Sequence, residues 1–185
     1  GLTGTQFWVD TWEQLETRLQ TVYEAMVDMT SHYVVGVVNG VVYDIRLWKT
    51  DDSYGSAEVQ HYVMENWRKR VLFGGVWQEW EYLSPPMHLS EEYRTTERWQ
   101  GKPVYTKLVD FGELPNCTTK TVLHGCSATQ MLRAAGQASN GQAFPICGSG
   151  FYNIELRAGR TQVDIYTDYD YSAYTATVQL WYTKD

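Results

Sequence analysis

The chain has 185 residues and a formal charge of −7, with 20% charged and 43% apolar residues, a globular composition with room for two small domains. An acidic balance, concentrated in residues 1–86, repels phosphate backbones and excludes nucleic acid as the partner. No apolar run approaches the length a membrane-spanning helix needs, so no membrane insertion is expected.

Eight Trp and fourteen Tyr set this chain apart and point to β-structure with many half-buried faces. The chain begins at Gly1 rather than Met, without the charged-then-apolar form of a signal peptide, and reads as a piece of a longer protein. Cys117, Cys126 and Cys147 are three with no C-x-x-C pair, which indicates neither a disulfide framework nor zinc. All three read as buried free thiols, suited to assembly in a reducing cytosol.

In chain order, residues 1–9 form a Gly- and Thr-rich lead ending in Phe7-Trp8. Asp10 or Thr11 then caps a helix of about five turns. Trp12, Leu15, Leu19, Val22, Tyr23, Met26 and Met29 make its apolar stripe, read as core rather than cofactor site. Strands follow at Tyr33 to Val38 and Val41 to Trp48, joined by Asn39-Gly40, a pair that favours the positive φ values of a tight hairpin. After a turn at 51–55, Ala57 to Met64 reads as a strand. Asn66 to Phe73 and Val76 to Leu83 read as a hairpin about Gly74-Gly75, with Arg68-Lys69-Arg70 as its solvated edge. Pro85-Pro86 closes an α+β unit, 1–86, of one helix and a strand meander.

Residues 87–92 read as a linker within a polar run that extends to Glu97. Beyond it, Val104 to Phe111 reads as a strand and 112–116 as a turn. Short strands follow at Lys120 to His124, Met131 to Gln137 and Ala143 to Cys147. Then apolar residues take alternate positions: Tyr152, Ile154, Leu156; Val163, Ile165; and Tyr174, Ala176, Val178, Leu180, Tyr182. Many short strands without a helical period predict an antiparallel β-sandwich over 93–185, making the whole chain mainly β.

Residue chemistry offers little catalysis. His32, His61, His88 and His124 have no metal-ligand spacing, and no nucleophile elbow, phosphate-cradling loop or dinucleotide turn occurs; no catalytic residue, metal or cofactor is expected. Asp164, Asp168 and Asp170 admit a Ca²⁺ loop or a glycosidase pair. They lack the Gly and distal Glu of a Ca²⁺ loop, and a solvated turn is the plainer reading. Exposed aromatics beside acceptors are more suggestive. Tyr166, Asp168, Tyr169, Asp170, Tyr171 and Trp181 form the candidate ligand-binding set for a glycan, against the alternative that the rings only pair across strands. Trp181 is placed outward by its alternation with Tyr182.

Two stretches carry a family resemblance. Arg98 to Asn116 (RWQGKPVYTKLVDFGELPN), with Thr119 to Val122, His124-Gly125 and the ending Leu180 to Lys184, resembles the C-terminal domain of tail-fibre proteins from phages and prophages of Gram-positive bacteria. Gly75 to Leu83 (GVWQEWEYL) ahead of Pro85-Pro86-Met87 resembles the knob-like repeat of phage fibres and tail-derived bacteriocins, which there precedes that same domain. The resemblance implies a homotrimeric, non-enzymatic fibre tip, assembled in the bacterial cytoplasm and carried on a virion. It would bind host-surface glycan, with three copies raising the effective concentration. A carbohydrate-binding module of a secreted enzyme, a phage head fibre and a polysaccharide-cleaving fibre tip are the other readings.

Overall fold

The computed structural model describes residues 5–63, 66–148, 150 and 152–185. The chain divides into two compact units, Gly1–Pro86 and Met87–Asp185, each with its own apolar core.

The first unit contains β1 (Thr5–Val9), α1 (Trp12–Ala25), β2 (Thr30–Val38), β3 (Val41–Lys49), β4 (Gly55–His61), β5 (Trp67–Phe73), β6 (Val76–Trp77) and β7 (Glu81–Ser84). Its sheet runs β1-β2-β3-β4-β5-β7, with β6 also on β5. Thr11 starts the helix with a capping box: Gln14 N donates to its hydroxyl, and the Gln14 side chain accepts from Thr11 N. Leu15, Leu19 and Tyr23 are buried against Val34, Ile45, Leu47 and Val59. The approach is close enough that a Cβ on Gly36 would lie 2.8 Å from a Leu15 methyl.

The helix is one turn shorter than expected. Met26 is extended, and the last carbonyls are met by buried Lys49, whose Nζ donates to Tyr23 O and Glu24 O and pairs with Asp52 at 2.8 Å. Met29, assigned to the apolar stripe, is exposed at φ 60°. The lead segment is not irregular either: Thr5–Val9 pairs parallel with β2, made possible by the crossover through α1.

The Asn39-Gly40 hairpin forms as expected, with φ 47° and 82°. β4 ends at His61, and Met64 lies outside the described residues. Val76 to Leu83 is not one strand. It breaks between Trp77 and Glu81, where Gln78 N donates to Val71 O and the chain bulges away from β5. Nor is Arg68-Lys69-Arg70 a solvated edge. It lies within β5, flanked by β4 and β7, with Lys69 exposed and the two arginines turned towards the helix side, among Trp12, Trp77 and Trp80.

The second unit contains β8 (Glu92–Trp99), β9 (Lys102–Glu113), β10 (Thr119–Leu123), β11 (Gln130–Ala138), β12 (Ala143–Phe144), β13 (Ile154–Ala158), β14 (Gln162–Thr167) and β15 (Thr175–Thr183). One antiparallel sheet runs β8-β9-β15-β11-β12, the other β10-β14-β13. Val109, Phe111, Val178 and Leu180 from the first meet Ile154, Val163 and Ile165 from the second in a single core, an antiparallel β-sandwich.

Residues 87–92 group with this unit: Ser90 N donates to Leu108 O, and β8 begins at Glu92. β9 continues past Phe111, which is bulged between the Asp110 and Gly112 pairings. The strand expected over Ala143 to Cys147 is only two residues long. Alternation over-reached at two strand starts: Tyr152 and Tyr174 precede β13 and β15 and are exposed rather than core. Of the cysteines, Cys126 alone is buried; Cys117 and Cys147 are exposed in loops.

Candidate functional site

Within β14, Val163, Ile165 and Thr167 point into the core, so Asp164 and Tyr166 face outward. Tyr166 lies opposite Thr119 of β10 and Glu155 of β13. Together with Leu156, Arg157 and Asp164 these residues line an open groove of about 380 Å³. Asp164 accepts hydrogen bonds from the Thr121 hydroxyl and the Gln162 amide. These bonds, Thr121 foremost, hold its carboxyl below the usual aspartate range.

Past the end of β14 the chain enters the loop that holds the other candidates. Asp168 is spent structurally: its two oxygens accept from Asn153 N and Asn153 Nδ2, each at 2.7 Å. That clasp ties the loop to the segment before β13. Tyr171 is buried, its hydroxyl donating to Tyr152 O at 2.9 Å, and burial, then Asp168, pushes its pKa up. Asp170 accepts from the backbone and hydroxyl of Ser172 in a local turn, which lowers its pKa.

The rings form a cluster. Tyr169 lies edge-on to Tyr152 at 4.5 Å and to Tyr171 at 6.0 Å, and Tyr171 lies 6.4 Å from Tyr174. The rings therefore run as a chain, Tyr152, Tyr169, Tyr171, Tyr174, in which buried Tyr171 is flanked by exposed Tyr169 (48%) and Tyr174 (38%) and its hydroxyl holds the backbone of exposed Tyr152 (55%). Asn153, Tyr152 and Tyr174 were missed because alternation assigned both tyrosines to strand cores. The signal available was their position just outside each strand, beside polar turn residues.

Trp181 does not join this cluster. It points outward, as expected, but from β15 in the other sheet, between Thr106 of β9 and Arg133 of β11. The outer faces of two packed sheets look in opposite directions. The indole is half-buried, with the Arg133 guanidinium 4.2 Å from its ring and Glu97 3.3 Å from that guanidinium. The six expected residues therefore fall into a tyrosine end (Asp168 to Tyr171, with Tyr166 nearby along β14) and a separate, partly covered Trp181.

Among the described residues no group of three or more His, Cys, Asp or Glu side chains is placed to hold a metal ion, and Asp164, Asp168 and Asp170 have separate partners. What the tyrosine end offers chemically is flat amphipathic rings on a preset frame, beside amide and carboxylate groups.

No protein-family model matches the chain, and no curated protein matches its sequence. Among solved structures it is similar to an N-truncated R2-type pyocin tail fibre, at 9% identity and a TM-score of 0.31, covering 98% of this chain and 95% of that one. It is also similar to a C-terminal part of the P. aeruginosa R1 pyocin fibre, at 8% identity and a TM-score of 0.29, covering 98% and 67%. A third similar structure is the corresponding part of the P. aeruginosa R2 pyocin fibre, at 7% identity and a TM-score of 0.30, covering 100% and 68%.

Proposed function

We propose that this chain is the receptor-binding region of a phage or phage-tail-like fibre, attaching the particle to a bacterial surface by binding glycan without cleaving it. The sequence resemblance supports the fibre reading. The observation that carries the binding reading is the row of rings Tyr152, Tyr169, Tyr171 and Tyr174, three exposed and Tyr171 buried, with the Asp168–Asn153 clasp beside it. Three exposed rings held in place before a ligand arrives lose little side-chain freedom on binding, and sugar rings dock their apolar faces on such surfaces.

Tyr152→Ala with Tyr169→Ala removes two rings and leaves Tyr171 in the core. Adsorption of the labelled protein to a panel of Gram-positive bacteria should fall about tenfold or more, as truncating central aromatic anchors does. Melting temperature should change little. Unchanged adsorption to every strain the parent protein binds would overturn the assignment of the site. Self-association into a homotrimer is part of this reading, since a shallow site gains avidity from three copies. A monomeric mass in sedimentation equilibrium at micromolar concentration would remove that part.

A further inference from the structure

The first unit's sheet has a second face, opposite the one α1 covers. On β3, Ile45, Leu47 and Lys49 point to the helix side, so Asp44, Arg46 and Trp48 point away from it. Register fixes their neighbours. Trp48 lies opposite Ser31 of β2 and Ser56 of β4. The adjacent row runs Tyr33, Arg46, Glu58, Lys69, Glu81 across β2, β3, β4, β5 and β7. Between the two rows lies an open groove of about 450 Å³, lined by Ser31, Arg46, Trp48, Ser56, Glu58 and Lys69.

Three features of this groove point to one kind of occupant. Aromatic or β-branched cross-strand partners packed on a tryptophan stabilise a sheet and cover the indole. Here both cross-strand neighbours are serines, too short to reach over an indole, and Trp48 remains 39% exposed. Its ring is fixed all the same, because Nε1 donates to the Thr50 hydroxyl at 3.1 Å. The polar groups beside it are also anchored: Glu58 accepts from Trp67 Nε1 at 2.8 Å, and the Arg46 guanidinium stacks 4.8 Å from the Tyr33 ring.

Charge selects further. Arg46, Glu58, Lys69 and Glu81 alternate in sign along the row, so a polyanion or polycation meets as many repulsive as attractive groups. A neutral, polyhydroxylated ring finds donors, acceptors and two small hydroxyls around one flat apolar surface, in a volume typical of ligand sites. We propose that this groove is a second saccharide-binding site, in which a neutral sugar ring stacks on Trp48 between Ser31 and Ser56 and hydrogen-bonds to Arg46, Glu58 and Lys69. It extends the adhesion reading to a second site and stands whether or not the tyrosine end binds sugar.

The test uses the full chain carrying Tyr152→Ala and Tyr169→Ala, which silences the first site. Maltotetraose, cellotetraose and chitotetraose serve as neutral probes and heparin as an anionic one, with binding followed by calorimetry. At least one neutral tetrasaccharide should bind. Trp48→Ala should then weaken it about tenfold or more, the loss expected of a central aromatic anchor. Ser56→Gln, which fills the slot and removes no ring, should weaken it similarly. Both variants should keep the parent melting temperature and sedimentation coefficient. Binding of no neutral probe, preference for heparin, or affinity untouched by Ser56→Gln overturns the proposal. So does a change of oligomeric mass in Trp48→Ala, which would assign the face to a second copy of the chain. Loss of bacterial adsorption on mutating the tyrosine end alone, with the groove variants silent, would refute this site and leave the other standing.

Discussion

The two units close their sheets in different ways, and the difference decides which residues matter. In the second unit a sheet covers a sheet, and the facing residues are almost all apolar. In the first, one helix of 14 residues covers six strands. Such a helix is about 21 Å long and roughly 10 Å wide, whereas the strands span about 24 Å. The uncovered side above β5 is closed by rings and guanidinium groups instead. The bulge after Trp77 lets Trp77 and Trp80 both reach α1, with indole nitrogens donating to Gln20 and Glu16 at 2.8 Å each. Arg68 lies 4.0 Å from the Trp12 ring, and Arg70 lies 4.6 and 4.7 Å from Trp77 and Trp80. One cover is made of volume, the other partly of charge against π-faces.

The largest effects should come from deleting volume in either core. Leu15 and Ile165 are both wholly buried, and truncating each to Ala should cost about 2–5 kcal/mol. Hydrogen exchange read by peptide mass spectrometry sharpens the comparison. Leu15→Ala should speed exchange in peptides from residues 5–86, and Ile165→Ala in peptides from 87–185. A rise in both sets from either substitution would mean that the two cores open together.

Next in size is the charged part of the first unit's cover. Arg70 is 14% exposed, stacks on two indoles and lies 3.8 Å from Glu16. Burial is the main cause of its lowered pKa. Arg70→Ala should destabilise by about 1–3 kcal/mol in urea unfolding, from lost stacking and packing together. The same kind of pair, Arg133 on Trp181, lies on the outer face of the second unit, so Arg133→Ala should fall within about 0.5 kcal/mol of the parent. Equal costs would show that burial is not what separates them.

That arginine–tryptophan layer is also where the sequence was least legible. The period-2 pattern of β14 and β15 and the 3.6 pattern of α1 report one apolar face each, so the sandwich and the helix could be read directly. A basic triplet reads as solvated by the same logic, because hydropathy does not record that a guanidinium packs on an indole. β1 was hidden for a related reason: a parallel edge strand carries no hairpin turn to mark it. At the candidate site, alternation identified Tyr166 and Trp181 as outward. It could not show that they belong to different sheets, which only the pairing of β14 with β10 and of β15 with β9 reveals. Residues just outside strands, Tyr152 and Tyr174, inherited the strand pattern wrongly.

In the second unit one buried core ring is tied to charge at the edge of the core. The Tyr182 hydroxyl donates to Glu92, which also pairs with Lys184. Burial, then Glu92, drives the Tyr182 pKa up, and burial raises the thiol of neighbouring Cys126. Tyr182→Phe should cost about 1–2 kcal/mol, the loss of one hydrogen bond to a charged group, and chemical denaturation measures it. In the same samples Cys117 and Cys147 should react with a thiol reagent at neutral pH, while Cys126 reacts only on unfolding.

The smallest effect concerns two aspartates that differ in what holds them. Asp164 is held by a side chain from another strand, Thr121 of β10, and Asp170 by Ser172 two residues on. Both carboxyls titrate below the ordinary value, so both favour the folded state above the unfolded pKa of about 3.9. That contribution is lost as pH falls through the lower folded pKa. Only Asp164 reports on the sheet. Thr121→Val removes its largest stabiliser, so its midpoint, followed by carboxylate NMR, should move up towards the ordinary value. The stability gap between parent and variant should be small at neutral pH and should close as the pH drops below about 4. Ser172→Ala should raise the Asp170 midpoint too, and the small stability gap it opens should likewise close as the pH drops below about 4. A Thr121→Val chain whose Asp164 midpoint does not move would show that the β10–β14 hydrogen bond does not set the charge in the groove beside Tyr166.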